Sequence, residues 1–220
     1  MGVDVTVGYL AEMRANDAEG MKHVRKRFAD LKKRMKKDGL PTYTEPEDIH
    51  YWAIRVWPQI GIALLQRLAI YLWRKNGKLP TPATYEMDAP FEGREMSKIY
   101  EDCYFYSEEC NKKGQNFRHL VCHSCRDGGW LPVEFEEPFT EGYVEYGSSQ
   151  RLQEQCEMVA AALELPLELD PNEKEVQAAL RTPGKLKKKW KQYSIESFNC
   201  LLLHKAARLS VELGAAIILH

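Results

Sequence analysis

His119 to Phe135 reads HLVCHSCRDGGWLPVEF. Two short runs, His119–Ser124 and Trp130–Phe135, flank Cys-Arg-Asp-Gly-Gly. Asp-Gly-Gly between such runs is a hairpin signal, because glycine accepts the positive φ of a tight turn. Pro132 has no N–H to donate, so the second run is expected at a sheet edge or a bulge. Alternate residues of a strand share a face. Leu120 and Cys122 then fall with Leu131, Val133 and Phe135 toward a core. His119, Val121 and His123 point the other way, with Trp130 and Glu134 beside them and Arg126 and Asp127 at the turn.

Outward from this segment, both ends of the chain read as strands. Val3, Val5 and Val7 alternate with Asp4 and Thr6, and Ala-Ala-Ile-Ile-Leu-His closes the sequence. Asn16 or Asp17 caps a helix to about Lys37 whose apolar stripe is Val24, Phe28, Leu31 and Met35. Gly39 and Pro41 stop it. Thr-Glu-Pro-Glu-Asp-Ile-His-Tyr-Trp opens a second helical region, kinked or restarted at Pro58 and running to about Lys75 with Gly77 as its stop. The apolar run over 54–73 is interrupted by Arg55, Gln59, Gln66 and Arg67, which predicts a buried helix and not a membrane span. A third helix is expected over 94–110, acidic and aromatic. Ser148 or Ser149 caps a fourth to about Leu163, burying Leu152, Cys156, Val159 and Leu163. Asp-Pro-Asn-Glu at 170–173 starts a fifth. Ser194 or Ser197 opens the last, which ends at Gly214. The expectation is an α+β fold in one domain over 1–220: a small sheet, made of the terminal strands and a central hairpin, packed with five to six helices.

Three chemistries compete at the hairpin. CxxC spacing lets Cys122 and Cys125 face one zinc ion, but a structural site needs four ligands. Cys103 and Cys110 lack knuckle spacing, leaving His119 or His123 to complete the set, so the expectation is no cofactor, with zinc as the alternative. A thioredoxin-like dithiol needs a helix N-terminus, which Asp-Gly-Gly does not start. His119, His123, Asp127 and Glu134 gather imidazoles and carboxylates for acid–base work, with Arg126 and Trp130 as binding groups. No nucleophile or phosphate-loop motif accompanies them. On the last helix Cys200, His204 and Arg208 are spaced by four, so that Cys200 and His204 share a face.

The hairpin and the helical segments after it also resemble a known pattern. HSCRDGGWLPVEF, then GSSQRLQEQCEMVAAAL and later LLLHKAARLSVELGAAIIL are similar to a family of uncharacterised bacterial proteins. That family carries a His-Ser-Asp, acid-Gly, aromatic, Pro-Val-Asp-Phe hairpin followed by a helix opened by Gly-Ser-Ser. His123, Ser124, Gly128, Pro132, Val133, Phe135, Gly147, Ser148 and Ser149 match it. Cys125 departs, standing where the pattern has Asp, which argues against a metal ligand there. The resemblance covers about the second half of the chain, supports the fold reading and implies no activity.

The 220 residues are 44% hydrophobic and 29% charged, with a formal net charge of -1. Such a chain buries a core without disulfide staples. No export signal is read at the N-terminus, so the six cysteines are expected reduced in a cytoplasm. Charge is segregated. Residues 22–37 carry nine cations, Lys26 and Lys33 among them, against Asp30, and Glu134 to Glu175 carries twelve acids against Arg151 and Lys174. A cationic helix of this kind suits a phosphate backbone or a solvated face. The expected function is contact with another protein without catalysis, of accessory or immunity type. The alternatives are a metal or acid–base site at 119–135 and nucleic-acid binding by the helix at 22–37. No membrane partner is expected.

Overall fold

The computed structural model describes residues 3–56, 60–82, 116–121, 128–181 and 186–220. Six strands form one mixed sheet: β1 (Val3–Val7), β2 (Trp52–Val56), β3 (Gly128–Leu131), β4 (Phe139–Glu141), β5 (Val144–Ser148) and β6 (Ile217–Leu219), in the order β2-β1-β6-β3-β5-β4. Among the described residues there are eight helices: α1 (Tyr9–Asn16), α2 (Met21–Lys37), α3 (Ile60–Arg74), α4 (Arg118–Val121), α5 (Ser149–Leu163), α6 (Lys174–Leu180), α7 (Lys189–Gln192) and α8 (Ser194–Leu213). The fold is α+β, as expected. The two terminal strands pair antiparallel, Val5 with Leu219 and Val7 with Ile217.

Helices cover both faces of the sheet, and side-chain alternation shows how. Val3, Val5, Val7, Trp130, Ile217 and Leu219 join α3, α5 and α8 in the main core. Their neighbours Leu131 and Ile218 project to the other face, where they meet Tyr146, Ala216 and the α2 residues Leu31 and Met35. The stripe read on α2 is therefore its buried face, with Phe28 half-buried beside it, and Gly39 at φ 72° ends the segment. Helix α5 buries Leu152, Cys156, Val159 and Leu163 against α8, and the Ser148 hydroxyl accepts from Arg151 N. The Ser149 and Ser210 hydroxyls meet at 2.7 Å across that interface, and Ser210 donates onward to Ala215 O. Gly77 and Gly214, at φ 85° and 62°, terminate α3 and α8.

The hairpin expected over 119–135 is not formed. Residues 118–121 are a turn of helix, and the cysteine and turn positions 122–127 lie outside the described residues. β3 instead lies between β6, antiparallel, and β5, parallel. Its four residues are all buried, the pattern of a central strand covered on both faces, so Gly-Gly-Trp-Leu shows no polar alternation. Gly129 has a packing reason: a Cβ there would stand 2.5 Å from Ile217 O. The hairpin of this sheet comes later. β4 and β5 are joined by Gly142-Tyr143, with Gly142 at φ 64° in the first central position, the arrangement of a type II′ turn. Trp52–Val56, expected helical, is the edge strand β2. Its half-buried Trp52 and Ile54 alternate with exposed Ala53 and Arg55, and that period of two outweighs the helix-start residues before it. Pro58 and the helix expected over 94–110 fall outside the described residues.

Candidate functional site

Of the residues read as a polar patch, His119 is buried at 2% exposure. Its Nδ1 accepts from Ser148 N at 2.9 Å and its Nε2–H donates to Glu136 O at 3.0 Å. Both ring nitrogens are thus spent on backbone groups, and the tautomer is set. Burial pushes the imidazole down to about 4, so it is neutral at physiological pH. The surrounding turn is fastened in the same way. His119 O accepts the Trp130 indole N–H at 2.6 Å, Leu120 N donates to Gln155 Oε1 at 2.8 Å, and Gln66 donates to Leu120 O at 3.0 Å. Trp130, expected on an exposed face, is fully buried in the main core. Glu134 is exposed and bound to Arg151, 2.8 Å away. Of the acid–base set, then, His119 ties α4 to the 132–138 loop and to the start of α5, and Glu134 belongs to the surface. His123, Asp127 and Arg126, with Cys122 and Cys125, lie outside the described residues. Among the described residues no three His, Cys, Asp or Glu side chains gather as metal ligands. Cys200 donates to Cys156 O at 3.3 Å, and His204 faces Glu157 at 3.5 Å, so this pair does not share an ion.

The feature that the structure does assemble is the acidic run of Glu134 to Glu175. On α5 the buried positions fix the register, and Glu154 and Glu157, with Glu164 at the C-cap just past its end, are left facing solvent. The first two are three residues apart, neighbours on a helix surface. The third follows two turns on, roughly 10 Å along the axis. The 132–138 loop brings Glu134 to Arg151, which also holds Glu154 at 3.0 Å, and Arg118 pairs with Glu137. Beyond α5, Asp170 meets Lys205 at 2.5 Å and accepts from Asn172 N, while Glu173 reaches back to Asp170 N at 2.8 Å. Salt links to cations hold Asp170 and Glu175 below the usual carboxylate range. The side chains of Glu134, Glu137, Glu154 and Glu164 remain 57–70% exposed despite their partners.

The cations of α2 lie across the sheet from α5, on the side where the 133–146 part of the acidic run packs. Lys26 is exposed, Lys33 pairs with Asp30 at 2.9 Å, and Arg34 pairs with Asp38 at 2.5 Å and approaches Glu141 at 3.7 Å. Arg27 donates to the Tyr146 hydroxyl at 3.1 Å. Several of these cations therefore hold the protein's own groups. None of the described helices is long and apolar enough to cross a membrane.

Among the features that escaped the sequence reading are these two. The first is the β4–β5 hairpin, signalled by the alternation in Phe-Thr-Glu-Gly-Tyr-Val-Glu-Tyr around one glycine. The second is Glu45, a buried carboxylate whose Oε2 accepts from Ala216 N at 2.8 Å and which burial pushes up to about 8. No local pattern marks it, since its partner is 171 residues away.

No curated protein and no solved structure matches the chain. A family model does, from residue 1 to residue 219, and its description is "Putative DNA-mimic protein". This match overturns the expected accessory or immunity-type role. It overturns the enzymatic alternative at 119–135 and the phosphate-backbone alternative at α2 as well. The match spans nearly every residue, and the chain belongs to the family so described.

Proposed function

We propose that this chain occupies the DNA-binding surface of a DNA-binding protein, with carboxylates of the 134–175 segment standing where phosphates would lie. Family membership supports the class of partner. The observation that carries the assignment to this surface is the rank of solvent-facing carboxylates fixed on α5 and on the loop that Arg151 and His119 tie to it. Rigidity matters here. Duplex DNA carries one negative charge per about 1.7 Å of axis in a regular array. A surface that competes with it gains from charges held in place before binding. A net charge of -1 is no obstacle, because residues 86–175 carry twenty-one acids against eight cations.

The test uses the immobilised protein and DNA-binding proteins from a cell lysate. Retained partners are expected to be released by duplex or single-stranded DNA and to dissociate steeply with added salt, since the contact screens as charges do. The variant Glu154→Lys/Glu157→Lys/Glu164→Lys reverses charge at three exposed positions and is expected to retain none of them. Equal retention by wild type and variant, with no release by DNA, would refute the proposal.

A further inference from the structure

Tyr143 is 97% exposed, the extreme among the described large hydrophobic residues. It sits at the second central position of the two-residue turn between β4 and β5, with Glu141 before it and Glu145 after it. The hairpin does not need the ring. Its base is secured elsewhere: Phe139 stacks on Tyr146 at 5.7 Å between centroids, Phe135 meets Phe139 at 5.6 Å, and all three belong to the cluster beneath α2. A firmly anchored strand pair thus lifts one bare aromatic ring out from between two carboxylates. Large rigid aromatics at such positions act as interface anchors, because few side-chain rotations are lost when they are buried.

The arrangement speaks to the form of nucleic acid that is imitated. In a duplex the bases are stacked inside, and a protein meets only their edges in the grooves. No flat ring projects past the phosphates. On a single strand the bases splay outward beside the charged backbone, and proteins capture them by stacking on aromatic platforms within a cationic groove. We infer that Tyr143 stands in for an unstacked base, so that the partner is a protein that binds single-stranded DNA on an aromatic platform. The inference rests on the DNA-mimic reading and adds the class of partner to it.

Lysate proteins retained by the immobilised chain are challenged with oligothymidylate and, separately, with duplex DNA. The expected result is release by oligothymidylate at the lower concentration. Tyr143→Ala is expected to bind about ten- to a hundredfold more weakly, the range of one lost base stack, and Tyr143→Phe to bind as wild type does. Circular dichroism checks that the fold of each variant is intact. Undiminished binding by Tyr143→Ala, or release by duplex at the lower concentration, would overturn the inference. In those cases the mimicry reading stands so long as DNA releases the partner and the three-lysine variant does not bind. If neither DNA releases the partner and the three-lysine variant binds normally, mimicry fails and the inference with it.

Discussion

At pH 7 His119 is neutral, because protonation would place a second N–H where Nδ1 accepts from Ser148 N. Its value of about 4 lies below the unfolded value of 6.5, so the unfolded chain takes up the proton first as pH falls. Stability from this group is full above pH 6.5 and is lost as pH drops toward 4. His119→Ala leaves the buried Ser148 N–H and the part-buried Glu136 C=O without their partner. It is expected to cost about 2–4 kcal/mol, read as a lowered urea midpoint. Glu45 has the opposite sign. Its folded value of about 8 lies above 4.5, so its contribution is full below pH 4.5 and is lost as pH rises through 8. Glu45→Gln keeps an acceptor for Ala216 N and carries no proton to lose. The wild type is expected to lose up to about 1.4 kcal/mol per pH unit relative to this variant between those limits. Chemical denaturation of both proteins at pH 5, 7 and 9 tests it, and parallel stability curves would refute it. Neither role can be seen in the sequence. A histidine next to a CxxC invites a chemical reading, and only the backbone of residues 136 and 148, folded against it, makes it a cross-link.

Helices long enough to repeat their period are legible in the sequence, whereas the short alternations of β2 and of the β4–β5 hairpin are outweighed by neighbouring residues, and elements without a period leave no signal. Helix α5 announces itself through Leu152, Cys156, Val159 and Leu163 behind a serine cap, and α8 through its glycine stop. Helix α4 has four residues, too few to show a period, and its sequence reads as a strand. β3 overlaps the strand read over Trp130–Phe135 only at Trp130 and Leu131, and its partners are not legible at all. Its true neighbours are β5 in parallel and β6 near the far end of the chain, and pairing across such distances leaves no local trace. The glycines that suggest a turn answer to that pairing. Gly129→Ala would drive a methyl group against Ile217 O, with the Ile218 side chain 2.9 Å from the same point. Backbone cannot yield as a flexible side chain does. The substitution is expected to destabilise by about 1–3 kcal/mol, as overpacking does. Hydrogen exchange localises the damage: protection is expected to fall first at Gly128–Leu131 and Ile217–Leu219. Uniform loss across the sheet would contradict this account.

For the whole molecule, the informative quantity is the arrangement of charge and not its sum. The acidic segment can be counted in the sequence, but its presentation depends on which faces of α5 and α2 the core consumes. With α5 on one side of the sheet and α2 on the other, the two helices stand roughly 20 Å apart, two packing distances of about 10 Å each. That exceeds the Debye length of about 8 Å at physiological ionic strength, so a partner at α5 is largely screened from the α2 cations, whereas Glu141 of the hairpin lies 3.7 Å from Arg34. In the proposed mimicry a cationic DNA-binding groove would therefore meet an acidic surface although the protein is close to neutral. The same geometry predicts chromatographic behaviour that net charge does not. At pH 7 and low salt the chain is expected to be retained on both anion and cation exchangers, each resin engaging one face. Lys22→Glu/Lys26→Glu/Lys33→Glu is expected to abolish retention on the cation exchanger and to preserve it on the anion exchanger. A protein whose charges cancelled across its own surface would pass through both columns, and that outcome would remove the physical basis for an acidic face acting on its own.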